Sequence, residues 1–536
     1  MTAAPRERPA PEGGRTAALN RWLVVVVAGV GGGVWLWFGL STRIALEDAF
    51  ITFRYARNLA EGHGFVYNVG ERVLGTTAPL QTMLLAALGA VLGPARIPLI
   101  AAIVMPAFGI AAGVTAYGAL IRFGISRAGA AAGVLVLLLH PVIVRTSLGG
   151  METPLALFLM ALSLHFVSKR ERVGAAAAVG LLALCRVDGL VWGVLVVGAT
   201  VLSSYRKLCK QAWKQAWKEA AVLGAIVVPW VVFSWLYFGS AVPNSMVAKG
   251  VVRPGREDLL MQPAYFSRLA RFYLSGTGFE TGQALFAVWL AAVGLGVYAV
   301  VRTRRRELLV LPIFPVVYAV AMYVGRAPRY EWYVAPMLFC CLLLGGAGIG
   351  QAVSWVAGGR ARWRWRAAAG ACAAVLIVPA VAGLVRELPR RERHARMFQE
   401  NEVGLRRVVG LWLRENTAED ARVAMEGIGY QGYYSERRVI DMYGLVTPEV
   451  IGYKASTGSN GEVFRRIWTE LGPGFIVLRS FEVDENRHFN GGKLFETEAD
   501  RESFFGRYRE ARRFTAPHAE LAPLVMHLTV YERRGG

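Results

Sequence analysis

Apolar runs close to the length of a bilayer-spanning helix recur from Trp22 to about Arg386, and this repetition constrains the fold more than any single motif. A helix needs about 20 apolar residues to cross a hydrocarbon core, and inside lipid its backbone must satisfy its own hydrogen bonds. The candidate spans are 22–40, 97–121, 127–145, 154–168, 173–186, 189–204, 221–238, 284–301, 308–325, 332–356 and 367–386. With 54% of the 536 residues hydrophobic, a single soluble core is excluded. The expectation is a polytopic α-helical membrane protein.

Charge supplies the topology. The net charge of +22 sits largely in short clusters between apolar runs: RFGISR, SKRER, YRKLCKQAWKQAWK, RTRRR and RARWRWR. Basic connecting loops mark the cytoplasmic side. No RNA- or DNA-binding motif accompanies the charge, so nucleic acid is not an expected partner. The segment 79–93 decides the count. If it crossed the bilayer, every later loop would change side and these clusters would lie outside. As a juxtamembrane helix it leaves all five inside, and it is short for a span. About eleven spans result. Residues 1–21 read as a disordered cytoplasmic tail, 22–386 as the membrane domain, and 387–536 as an extracytoplasmic α/β domain. The protein is thus expected in the plasma membrane of a bacterium with its N-terminus inside. No cysteine follows Cys372, so the C-terminal region holds no disulfide.

This topology places five polar segments outside: 41–96, 146–154, 185–189, 242–250 and 325–332. The richest is EDAFITFRYARNLAEGHGFVYNVGERV, Glu47 to Val73. Its acid pair, Glu47 and Asp48, can take a proton from an attacking hydroxyl or bind a divalent metal; a hydrated helix-end acid is the competing reading. Arg54 and Arg57 share a helix face and can clamp a phosphate, or anchor to anionic headgroups. His63, Tyr67 and Asn68 follow among glycines, where a tight turn also accounts for them. GGAGIG at 345–350 imitates a nucleotide fingerprint but lies inside an apolar run, where close helix packing is the better reading.

The same stretch resembles the first outer loop of the GT-C membrane glycosyltransferases, closest to the mycobacterial arabinofuranosyltransferase AftB-like branch. Acid pair, arginine pair, glycine turn and GERV occur in order. SLGGMETPL resembles that branch's second acidic loop, and CRVDG resembles an RPDG-type turn with Val187 in place of proline. VPNSMVAK, RYEWYVAP and VIDMYGLVTP also have counterparts. The resemblance implies a GT-C fold and transfer of a sugar, arabinofuranose among the candidates, from a polyprenyl-phosphate donor to an envelope glycan, lipid or protein acceptor at the outer face. It implies Asp48 as the catalytic carboxylate, Glu47 as its assistant or a metal ligand, and Glu152 as a second acid. Arg54, Arg57, Lys249, Arg326 and Arg329 become candidates for the donor phosphate. His63, Tyr67, Asn68, Asn244 and Tyr330 become candidates for sugar hydroxyls. Arg186 and Asp188 read equally as an ion pair at the bilayer edge. One carboxylate acting as base suits inversion, whereas a second near the anomeric carbon suits retention.

The rival readings are a protein O-mannosyltransferase-like enzyme and a non-catalytic lipid-linked sugar flippase or transporter. In the C-terminal region RVAME, RRVIDM, FIVL and MHLTVYER read as strands, and EVFRRIWTEL and ESFFGRYREA as helices. Acceptor binding or covering of the active site is the work expected of this domain.

Overall fold

The computed structural model describes residues 14–42, 45–204, 210–251, 282–324, 330–358, 404–489, 491–516 and 527–535. The expected span 367–386, together with Arg326 and Arg329, lies outside these residues, as does the side chain of Lys249. The apolar runs form helices: α1 (Gly14–Thr42), α2 (Glu47–Ala60), α3 (Pro79–Leu92), α4 (Ile97–Arg122), α5 (Arg127–Leu139), α6 (Pro141–Leu148) and α7 (Thr153–Lys169). They continue as α8 (Arg172–Cys185), α9 (Gly189–Ser204), α10 (Lys210–Phe238), α11 (Asn244–Val251), α12 (Gly282–Arg302), α13 (Val310–Val324) and α14 (Ala335–Gly358). Among the described residues five helices are long and apolar enough to cross a membrane, or six when the pair α5–α6 counts as one span bent by 57°. Pro141 explains the bend, because it lacks the N–H that would continue the α5 ladder. The other apolar helices, α3, α7, α8, the Gly189–Leu202 part of α9 and the Trp289–Arg302 part of α12, are shorter. This is a multi-pass membrane protein.

GGAGIG falls within α14, where Gly346 meets Gly133 of α5 backbone to backbone. The small residues permit close helix approach.

The C-terminal region begins in the description with α15 (Leu405–Asn416), then β1 (Arg422–Met425), α16 (Tyr430–Ser435), β2 (Arg438–Asp441), α17 (Pro448–Thr457) and α18 (Asn460–Arg466). It ends with β3 (Phe475–Arg479), α19 (Ser480–Asp484), α20 (Glu498–Arg507), β4 (Tyr508–Thr515) and β5 (His527–Arg533). The five strands form one mixed sheet in the order β2-β1-β3-β5-β4. β1 runs parallel to β2 and β3, while β5 is antiparallel to β3 and β4. The helix expected over ESFFGRYREA stops at Arg507, and Tyr508 starts an edge strand instead. Pairing with β5 supplies the backbone partners there, and this tertiary contact overrides the helical pattern of YREA.

Alternation along the strands divides the core in two. Val423, Met425, Val439, Val477 and Val530 point to one face, where they pack with Ile51, Tyr55, Phe65, Tyr67 and Leu74 of the first outer loop. Ala424, Ile440, Ile476, Leu478 and Tyr531 point to the other, against α17, α18 and α20. The first outer loop is therefore built into the core of the C-terminal domain.

Candidate active site

The polar segments of the membrane domain converge at one end. Leu46 N–H bonds the Gly149 carbonyl (3.0 Å), and Gln81 of α3 bonds the Gly150 carbonyl (2.8 Å). Asn244 N–H bonds the Leu74 carbonyl (2.7 Å), and Arg145 pairs with Glu331 at 2.8 Å. The far end of α3 also stays in this cluster, with Gly89 against Ile97 and Ala60.

At the start of α2 the two adjacent acids have different fates. Glu47 leaves the membrane domain. Its Oε1 accepts the N–H groups of Gly429 (2.8 Å) and Tyr430 (3.3 Å) and lies 3.3 Å from Nη1 of Arg406. These contacts sit at the opening of α16, directly after β1, in the sequence GIGYQG at 427–432. A glycine pattern between a strand and a helix resembles a dinucleotide fingerprint, which sequence reasoning passed over here. The structure gives its anion position to a protein carboxylate. A Cβ on Gly429 would collide with the Glu47 carbonyl, and one on Gly432 would strike the Tyr67 hydroxyl and approach Nη1 of Arg54 at 3.2 Å. Both glycines are there to let the membrane domain in. Burial raises the Glu47 pKa, with Arg406 and the Tyr430 N–H opposing the rise.

Glu47 Oε1 is committed to two N–H groups and a guanidinium, while its Oε2 is buried without a hydrogen-bond partner among the described residues. Among the described residues no group of three His, Cys, Asp or Glu side chains converges to hold a metal.

The residues expected to bind phosphate and sugar largely join the same junction. Arg54 is buried and donates to the carbonyls of Tyr67 (2.9 Å), Gly432 (2.6 Å) and Arg437 (2.6 Å), with Asn68 Oδ1 at 3.4 Å. Its fork is engaged by these carbonyls, which places Arg54 at the junction with the C-terminal region. Arg57 pairs with Glu436 at 3.1 Å and lies over the Tyr433 ring. Tyr67 donates its hydroxyl to the Ile428 carbonyl (2.5 Å). Asn68 grips the edge of β2, donating to the Val439 carbonyl (2.9 Å) and accepting its N–H (3.0 Å). Asn244 donates to the carbonyls of Gly444 (2.7 Å) and Leu445 (3.1 Å). Tyr67, Asn68 and Asn244 thus hold the C-terminal region. His63 lies in the exposed turn after α2, 3.8 Å from Glu61. The signal for these roles was present in the run of side-chain amides and arginines, but their partners lie hundreds of residues away.

Asp48 follows Glu47 in the first turn of α2, and its charge favours the protonated forms of Glu47, Glu152, Tyr330 and Tyr443. Glu152 caps the start of α7 and accepts Nη1 of buried Arg186 (2.7 Å). Arg186 also takes Asp188 by both carboxylate oxygens (2.9 and 2.8 Å), and Tyr318 donates its hydroxyl to Asp188 (2.5 Å). Arg186 and Asp188 therefore form the ion pair, extended to Glu152. Burial raises the Glu152 pKa and Arg186 opposes it. Tyr330 stacks on Trp332 at 4.5 Å between ring centres, beside the Arg145–Glu331 pair. A carboxylate such as that of Asp48 can accept a proton from a hydroxyl.

Solved structures share this architecture. The chain superposes on ArnT from Cupriavidus metallidurans bound to undecaprenyl phosphate with a TM-score of 0.55, 14% identity, and coverage of 95% of this chain and 97% of that one. The apo state of ArnT gives the same TM-score of 0.55 and 14% identity over 96% and 98%. The chain has the GT-C fold. In sequence, 352 residues are 25% identical to a terminal beta-(1->2)-arabinofuranosyltransferase of Mycobacterium tuberculosis (strain ATCC 25618 / H37Rv), covering 63% of this chain. The chain spans about half the length, 52%, of that curated relative. Residues 393–530 match a family described as a domain of unknown function (DUF8728).

Proposed function

We propose that the protein is a glycosyltransferase that moves a sugar from a polyprenyl-phosphate donor to an envelope acceptor on the outer face of a bacterial plasma membrane. The observation that carries this reading is Asp48. It opens a helix at the membrane surface of a GT-C fold, while its neighbour Glu47 is locked into the C-terminal domain. The ArnT structure with undecaprenyl phosphate supports a lipid-linked donor, and the arabinofuranosyltransferase relative supports a pentofuranose as its sugar. In this reading Asp48 takes the proton of the attacking hydroxyl, and Glu152, held by Arg186, is the second acid of the site. The leaving phosphate needs positive charge more than it needs a proton. Lys249, Arg326 and Arg329 remain the groups proposed for it, and Arg406, 3.3 Å from Glu47, joins them from the C-terminal region. The N-terminus is placed inside and the C-terminal domain outside, in accord with the basic loops.

A screen of synthetic polyprenyl-phosphate sugars with the purified protein tests the proposal. Turnover of at least one of these donors is expected. Turnover of none, by protein that remains folded, would refute it.

A further inference from the structure

Helix α10 is longer than the hydrocarbon layer it crosses. Its 29 residues extend about 43 Å at 1.5 Å per residue, against a core of about 30 Å. The uncharged part, from Ala220 to Phe238, spans roughly 28 Å and fills that core alone. The turns before it read KQAWKQAWKE, from Lys210 to Glu219, and stand at headgroup depth.

The two ends of α10 are fixed differently. At the uncharged end Phe238 packs on Phe65 of the first outer loop, 5.9 Å between ring centres, and Arg72 lies 4.7 Å over the Tyr237 ring. The charged end is therefore on the far side of the membrane from the first outer loop. There Glu219 is buried, and Arg172 at the start of α8 holds it through Nε at 2.5 Å and Nη2 at 3.2 Å. This pair neutralises the one acid of the segment and leaves its net charge to the lysines. Lys214 and Lys218, one turn apart, share a helix face, and both are exposed. Trp217 beside them is 68% exposed. Lys169 and Arg170, in the turn that leads into Arg172, are exposed as well. Further along the same helix Val228, Val231, Val232, Trp235 and Leu236 are exposed, which makes α10 a wall facing lipid. The basic face continues that wall, so the layer it meets is the headgroups.

We propose that Lys214, Trp217 and Lys218, with the Lys169–Arg170 turn, form a binding site for the phosphate of an anionic phospholipid in the leaflet away from the first outer loop. Ammonium groups at this depth attract lipid phosphate. A tryptophan there places its ring against the acyl boundary and its N–H among the headgroups. The Arg172–Glu219 pair ties the site to α8, so the lipid rests on fixed protein. A lipid held here anchors one end of a helix whose other end packs on the first outer loop. The assignment is independent of the reaction the protein performs.

The test is native mass spectrometry of the full chain released from nanodiscs of phosphatidylcholine mixed with phosphatidylglycerol. Wild-type protein should retain phosphatidylglycerol in excess of its share of the bilayer, and high salt should weaken that preference. Lys214→Gln and Lys218→Gln should each lower the retention about fivefold, and the two together by roughly twentyfold. The charge-keeping pair Lys214→Arg and Lys218→Arg should hold it. Removing the same charge from β4, by Arg509→Gln with Arg512→Gln, should also leave it unchanged. In phosphatidylcholine alone the double glutamine variant should melt with wild type. Adding phosphatidylglycerol should raise the melting temperature of wild type and not of the variant. No preference in wild type, or an undiminished one in the double glutamine variant, would overturn the site. Equal loss from the β4 pair would overturn it too, since net charge rather than this face would then draw the lipid.

Discussion

Replacing Arg54 with alanine separates the two roles that this arginine could have. Across the interface it donates to the carbonyls of Gly432 and Arg437, at 2.6 Å each, and within its own loop to that of Tyr67 at 2.9 Å. A buried acceptor left without its donor costs about 1–3 kcal/mol. The Gly432 carbonyl keeps a contact with the Ser435 hydroxyl at 3.3 Å, so its loss is at the low end. Removing a buried guanidinium also returns its desolvation cost. A net loss of roughly 2–4 kcal/mol follows from these unsatisfied acceptors. For a unit of about 150–250 residues this lowers the melting temperature by roughly 5–15 °C. The assay is thermal unfolding of purified protein in nanodiscs, with amide exchange followed across 422–441. Faster exchange in that segment is the expected companion of the lower midpoint. An unchanged midpoint and unchanged exchange, together with a selective loss of donor affinity, would refute the junction role and restore Arg54 as a phosphate ligand.

Gly429→Ala should detach the C-terminal domain from α2, since the new methyl group meets the Glu47 backbone; limited proteolysis within 404–435 is expected to speed up. Arg186→Met leaves Glu152 and Asp188 buried without their counter-charge, at a cost of about 3–5 kcal/mol, and folded yield measured by size-exclusion chromatography should fall sharply. Asp441 yields a pH prediction. Burial pushes its carboxyl from 3.8 to about 7, against the pull of three backbone N–H groups. The fold thus favours the protonated form, and its contribution is complete below the unfolded value and lost as pH rises through about 7. The melting temperature should fall between about pH 4 and about pH 7, and Asp441→Asn should flatten that slope.

The membrane helices were legible because lipid imposes one solution on the backbone, so each apolar run from Trp22 to Trp355 became a helix. The strands of the C-terminal sheet were legible from their alternation, except YREARRFT, whose strand form depends on pairing with β5. The motif of the first outer loop was visible but its work was not. Arg54, Tyr67, Asn68 and Asn244 are polar residues in an outer loop, and such residues bind either ligands or protein. Only the fold shows that Gly432, Ile428, Val439 and Gly444 are their partners, at separations of 200 residues or more. GIGYQG escaped notice for the related reason that its occupant is a carboxylate from the far end of the same chain.

The central claim is that Asp48 performs the proton transfer of a glycosyl transfer at the membrane surface. Its most direct test is transfer from a polyprenyl-phosphate sugar by Asp48→Asn protein, with folding checked by melting temperature. The substitution preserves shape and removes the base. Transfer should fall by roughly 10²–10⁴ with the melting temperature unchanged. Full activity in the Asp48→Asn protein would contradict the account.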